Sequence, residues 1–382
     1  MLNFKPFVAA LAAAVLASGC ASDANQASVD TQPPPPQEQA VLDYAALVYG
    51  QYQKAHADAL ALHQAIDVFL AAPSAVRLSD AKEAWRRARA SYGLTEAHRF
   101  YGGPIDGIDP TSGEAGPETT LSAWPINEAA IDYVKDNPQA GLVNNPGADL
   151  SVKAPVAGTT GYHAVEFLLW GQDFWTSRPG ARPVNDYTQK PNADRRGAYL
   201  RGLTSRLVDE LASLVEAWRP GQDNYRAVFE ELPATESLGM VLRAQATLAG
   251  FELAERRIGG PLASDDPQNE RSRFSDNTHR DYVQNVKGII LVWLGPDKNG
   301  GLQAVLAQSA PAAAQDVTRA LSAAAADVLA VNRLQPVDKI LATQGSEGRL
   351  ALESLGNQLA AAAHAMVAVG EAAGLEVYIG GE

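Results

Sequence analysis

Gly161-Tyr162-His163-Ala164-Val165-Glu166-Phe167-Leu168-Leu169-Trp170-Gly171 is a helix start carrying two polar residues ahead of an apolar run. His163 and Glu166 are three residues apart, so on a helix they share one face and can share a ligand. An imidazole beside a carboxylate is a mixed nitrogen/oxygen pair suited to iron, zinc, manganese or copper. The same spacing also describes a packed histidine hydrogen-bonded to its neighbouring carboxylate. Gly161 lets backbone or a ligand approach closely at the helix start.

Helical patterning continues on both sides of this stretch, and no strand alternation rises above noise. Upstream, residues 38–70 are rich in Ala and Leu, with Tyr44, Leu47, Val48, Tyr52, His56 and Leu60 recurring at three- and four-residue steps. Ser79-Asp80 offer a cap for a helix over 81–100 that carries Trp85, Tyr92, Glu96 and Arg99 and closes at Gly102-Gly103-Pro104. Residues 105–160 are loop-rich and hold Asp106 and Asp109, with one short helix predicted over 127–134. Downstream, helices are predicted over 195–218, 235–258, 312–332 and 347–373.

The second half echoes the first. The helix over 235–258 ends at Gly259-Gly260-Pro261 and carries Glu252, Glu255 and Arg256 in its last turns, as 81–100 carries Glu96 and Arg99. After each Gly-Gly-Pro comes a loop, then His163 or His279 near the start of an apolar helix. The expectation is an all-α fold of two helical bundles related by a weak internal duplication. The halves span residues 38–185 and 186–382, with a site in the cleft between them.

Residues 1–19 have the form of an export signal: Lys5 supplies the charged start, and the apolar core from Phe7 to Leu16 is too short to span a bilayer. Ala17-Ser18-Gly19-Cys20 resembles a bacterial lipobox, which implies cleavage before Cys20 and lipid attachment to its thiol. Residues 20–37, with four consecutive prolines, are the expected disordered tether. The expected location is the cell envelope, anchored through lipid in the outer membrane and facing the periplasm.

A net charge of -13 argues against nucleic acid as a partner. The single cysteine excludes an internal disulfide and any Cys-rich zinc or iron–sulfur site, so a bound metal must use His, Asp, Glu, Tyr or water. Neither a Gly-x-Ser-x-Gly elbow nor a Cys-x-x-Cys-His haem attachment string occurs.

A second polar constellation, Phe274-Ser275-Asp276-Asn277-Thr278-His279-Arg280-Asp281, puts Asp276, His279 and Asp281 at another helix start, where Asp276 and Thr278 could also serve as caps. Together with Gly161-x-His163-x-x-Glu166, Tyr101-Gly102-Gly103-Pro104-Ile105-Asp106-Gly107 and Ala123-Trp124-Pro125-Ile126, this ordered set resembles the imelysin family, which includes bacterial iron-regulated lipoproteins. The resemblance implies two helical bundles with a site between them, a link to iron uptake, and a metal site using His163 and Glu166. His279 and Asp276 follow as further ligands or as partners that orient them. Glu96, Arg99, Asp106 and Asp281 are the other cleft candidates; Glu96 and Arg99 also suit an ion pair, and Asp106 a turn.

The family also carries a peptidase label, but the zincin string His-Glu-x-x-His is absent. Metal binding therefore stands ahead of a metallopeptidase using the same residues, and a metal-independent surface adaptor is the third class. The expected cofactor is a metal ion, iron first, with zinc or another divalent cation as the substitute. The expected partners are that ion or its chelate, the membrane through the lipid, and envelope iron-uptake proteins.

Overall fold

The computed structural model describes residues 34–381 apart from 110–112, 153, 154, 265, 299 and 335. The export signal, Cys20 and nearly all of the tether lie outside the described residues. From Pro35 onward the chain forms one compact unit.

Helix α1 (Pro36–Ala71) opens on a proline in its first turn, where no backbone N–H is needed. Its buried stripe, including Val48, Tyr52, Leu62, Ile66 and Phe69, keeps the three- and four-residue steps legible in the sequence. Helix α2 (Ala75–Thr95) begins earlier than Ser79-Asp80: the Ser74 side chain accepts the N–H of Arg77 and supplies the cap. Helices α3 (Gly161–Trp170) and α4 (Ala193–Ala217) complete a first group, in which α1 packs on α2 and α4, and α3 on both α2 and α4. Sequence patterning assigns α4 to the 186–382 half, yet its apolar face lies against α1 and α3.

Helix α5 (Ala234–Thr247) runs without a break into a π-helical segment, Leu248–Gly259, whose wider winding ends with the N–H of Gly260 donating to the carbonyl of Glu255. The chain does not stop at Gly259-Gly260-Pro261, because a further helical turn, Gly260–Ser264, accepts Pro261 near its start. Helices α6 (Thr278–Leu294), α7 (Pro311–Leu334) and α8 (Glu347–Ala372) complete the second group. There α8 packs on α7 and on α5 with its π-helical continuation, and α6 packs on α7. The helix predicted over 127–134 shrinks to one turn, Glu128–Ile131, capped by the Asn127 side chain. The described residues contain two isolated β-bridges and no longer strand.

Helix α2 meets α6 where the two groups join. Gly288 on α6 permits this approach: a Cβ there would lie 2.7 Å from the carbonyl oxygen of Leu94. The polar residues singled out in the sequence gather around this junction.

Candidate metal centre

The start of α3 is fixed by backbone contact. Gly161 has φ 87°, and a Cβ there would sit 2.5 Å from the carbonyl oxygen of Leu121. The turn that follows brings His163 Nδ1 to 3.0 Å from Glu166 Oε2, with both side chains buried. The other oxygen of Glu166 accepts two bonds from Ser275, the backbone N–H at 2.9 Å and the hydroxyl at 2.6 Å. The central motif is thereby tied to the second constellation. Burial pushes the Glu166 carboxyl up to about 8, against the pull of the Ser275 hydroxyl. Burial, reinforced by Arg89, drives the His163 imidazole well below its usual range. His163 is thus neutral, and its Nε2 is buried without a hydrogen-bond partner while Trp124 lies edge-on with ring centroids 5.0 Å apart. When Glu166 is ionised it accepts from Nδ1–H and leaves the Nε2 lone pair open, the arrangement that orients a metal-binding histidine.

Glu96, Arg99, Asp106 and Asp281 belong to a different construction. Asp281 on α6 receives both Nε and Nη2 of Arg89 on α2, at 3.1–3.2 Å, as well as the Ser272 hydroxyl at 2.6 Å. Glu96 is buried among Arg89, Arg99 and Arg257. Burial alone would raise its pKa, but Arg257, Arg271, Arg99 and Arg89 hold it well below the usual carboxylate range. Arg99 also pairs with Glu118 at 2.8 Å. Asp106 accepts the N–H of Phe100 at 2.7 Å, where the backbone takes a positive φ of 69°. Of the alternatives open from sequence, the ion pair describes Glu96 with Arg99, and the turn describes Asp106.

Three carboxylates converge without any such partner. Asp173 follows α3, Asp276 sits at φ 53° just before α6, and Asp338 lies on a short helix, Val337–Ala342. Their ligand oxygens all lie within 4.8 Å of one another. Asp173 Oδ1 accepts the N–H of Trp175, and Asp338 Oδ1 accepts that of Lys339. Asp173 Oδ2, Asp276 Oδ1 and Asp338 Oδ2 are buried without hydrogen-bond partners. Burial, with Asp338 and Asp173 beside it, pushes Asp276 up to about 8; burial pushes Asp173 and Asp338 each up to about 6. A hard cation would relieve this repulsion and suits an all-oxygen donor set.

His279 sits next to this group. It shares a cavity of about 250 Å³ with Asp276, Arg86 and Arg280, and its Nδ1 is buried without a partner. Burial, helped by Arg280, pushes its pKa down to about 4. The donor atoms left open here include His163 Nε2, His279 Nδ1, one oxygen from each of the three aspartates and both oxygens of the nearby Glu270, whereas both oxygens of Glu166 are engaged. Sequence reading did not single out Asp173 as a candidate, although it stands only two residues beyond the quoted motif. Asp338 had no signal beyond its place after Pro336 at a helix start.

Comparison with known proteins identifies the family. The imelysin family profile, which also bears a peptidase label, matches residues 48–366, and the chain belongs to that family. It is 27% identical over 310 residues to iron-regulated protein A of Synechococcus elongatus, covering 78% of this chain and 76% of the relative. Two crystal structures share the fold. One, from Parabacteroides distasonis and named for iron-regulated protein A, has a TM-score of 0.68 at 16% identity and covers 90% of this chain and 97% of its own. An imelysin-like protein from Psychrobacter arcticus gives 0.62 at 14% identity with the same coverage.

Proposed function

We propose that this chain is an envelope lipoprotein that binds a metal ion, iron first, where the 161–173 and 272–281 segments meet, and that it takes part in iron acquisition. The observation that carries the reading is the trio Asp173, Asp276 and Asp338, which bring a carboxylate oxygen each within 4.8 Å of one another and each hold a buried oxygen without a hydrogen-bond partner. Three carboxylate oxygens with an imidazole nearby favour Fe(III), Fe(II) or Mn(II) over softer ions. The matching relative's name supports iron as the first ion to test. Anchoring through Cys20 in the outer membrane, and handover to other envelope iron-uptake proteins, complete the proposal.

The deciding experiment is titration of the full chain with Fe(II), Fe(III), Mn(II), Zn(II), Cu(II) and Ca(II), beside Asp338→Asn, Asp276→Asn and His163→Ala. One ion per chain, lost in both aspartate variants, is the expected result. Loss only in His163→Ala would move the ligand set to the imidazole at the start of α3. Equal absence of metal from all four proteins would remove the reading and leave the adaptor.

The peptidase alternative needs a carboxylate free to act as a base. Both oxygens of Glu166 are committed, one to His163 and one to Ser275, which supports binding over hydrolysis. Release of peptides from denatured casein by the metal-loaded chain, abolished in Glu166→Gln, would reverse that order.

A further inference from the structure

A second cavity, of about 740 Å³, opens where the end of α2, the π-helical segment and the loops around residues 118–125 and 155–160 come together. Its size suits a small organic ligand. Four arginines line it, Arg99, Arg256, Arg257 and Arg271, against the carboxylates Glu118, Glu252 and Glu270. Four arginines against three carboxylates leave the wall formally cationic, in a chain whose overall charge is -13.

The arginines at this junction are not equally served. Arg257 bonds to both Glu96 and Glu252, and Arg89 behind it is clasped by Asp281. Arg271 reaches Glu252 at 3.0 Å and the Ser122 carbonyl at 2.9 Å, while Glu118 stands off at 3.9 Å. Its Nε is buried without a hydrogen-bond partner, and so is that of Arg99. The electrostatic consequence separates them. Carboxylates hold Arg89, Arg99 and Arg257 above the usual arginine range despite burial, whereas burial and the neighbouring Arg257 push Arg271 down to about 10. Arg271 has one close carboxylate, Glu252, and its buried Nε is left open, so a planar oxyanion is a partner its fork matches.

We propose that this cavity binds a small oxyanion, a carboxylate or a phosphate, through Arg271 with Arg99 beside it. The hydroxyls of Thr119 and Ser122 on the same wall add donors for a second charged group, while that of Thr120 is already given to Glu210. None of the aspartate trio lines this cavity, and anion binding in it does not require a metal.

The test uses the full chain freed of metal, titrated calorimetrically with citrate and with inorganic phosphate. Saturable binding of one anion per chain is expected, weakened at least tenfold in Arg271→Gln. That substitution also loosens Glu252, so Thr119→Trp is made in parallel: it obstructs the cavity from an exposed position and leaves every ion pair in place. Citrate binding without phosphate would assign a carboxylate ligand, and the reverse a phosphate. If Arg271→Gln fails to fold, a tenfold loss in Thr119→Trp alone supports the site. Failure of the native chain to bind either anion, or binding that survives Thr119→Trp, overturns the proposal. Because no metal is present, either result leaves the reading of the aspartate trio untouched.

Discussion

Arg89 and Asp281 are 192 residues apart in sequence and joined by three N–H···O contacts in the interior, linking α2 to α6 across the junction of the two helix groups. Breaking a buried pair by removing one partner leaves the other charge uncompensated, at about 3–5 kcal/mol. Asp281→Ala should therefore lower unfolding stability by that amount, read as a reduced urea midpoint. A loss below about 1 kcal/mol would mean that Glu96, 3.6 Å from the same guanidinium, compensates Arg89 on its own.

The glycine at the start of α3 is predicted to be irreplaceable, and another glycine is predicted to be wasteful. Gly161→Ala would force a Cβ against Leu121 in a positive-φ conformation, costing more than about 1 kcal/mol. Gly50, inside α1, has nothing within 4 Å of the position a Cβ would take, so Gly50→Ala should stabilise by about 0.5–1 kcal/mol. Thermal melts of the two variants should move in opposite directions.

Ser275 supplies two of the three bonds to Glu166. Ser275→Ala removes the hydroxyl and leaves a buried carboxyl oxygen with the backbone N–H alone, a loss of about 1–3 kcal/mol. Equilibrium denaturation measures it, and an unchanged midpoint would show that Glu166 does not depend on this tie.

His98, next to Arg99 in the chain, provides a pH signature of its own. It is buried between the Tyr44 hydroxyl and the Gln51 side chain, and burial pushes its pKa down to about 3. The unfolded chain protonates this imidazole near about 6.5, so between those values only the unfolded state takes up the proton. Stability contributed by keeping it neutral is then lost as pH falls, by about 1.4 kcal/mol per pH unit. In His98→Gln that contribution is absent, so the difference in unfolding free energy between the two proteins should change at this slope between pH 6 and pH 4. A difference independent of pH would contradict the assignment.

Much of this was legible in the chain. The apolar steps of α1 and the Ala-rich patterns of α7 and α8 set the helical class, because burial of one face imposes its own period. The 161–171 and 274–281 strings each carried polar groups at a helix start, and the Ser275–Glu166 bonds show that these strings meet. What stayed hidden arrives through packing between distant segments. Asp338 reaches Asp173 and Asp276 only because a short helix after α7 folds back, and nothing local marks it. Arg89 reads as one of several charges on α2 until α6 brings Asp281 to it. Helix ends also misled: Ser79-Asp80 read as the cap, but α2 starts a turn earlier, where the Ser74 side chain accepts the N–H of Arg77.

The π-helical winding of Leu248–Gly259 has a consequence for reading this segment in any related sequence. Arg257 donates through Nε to Glu252, five residues before it, at 2.7 Å. On an ordinary helix, neighbours on one face are three or four residues apart, and a pair at five points away from itself. Here the natural stride is longer by one, so an alignment judged by α-helical phase would score Glu252 and Arg257 as unrelated. Deleting one residue between them would restore the ordinary spacing of four, keep the two facing each other on a tighter coil, and rotate the pair relative to Glu96, the distant partner of Arg257.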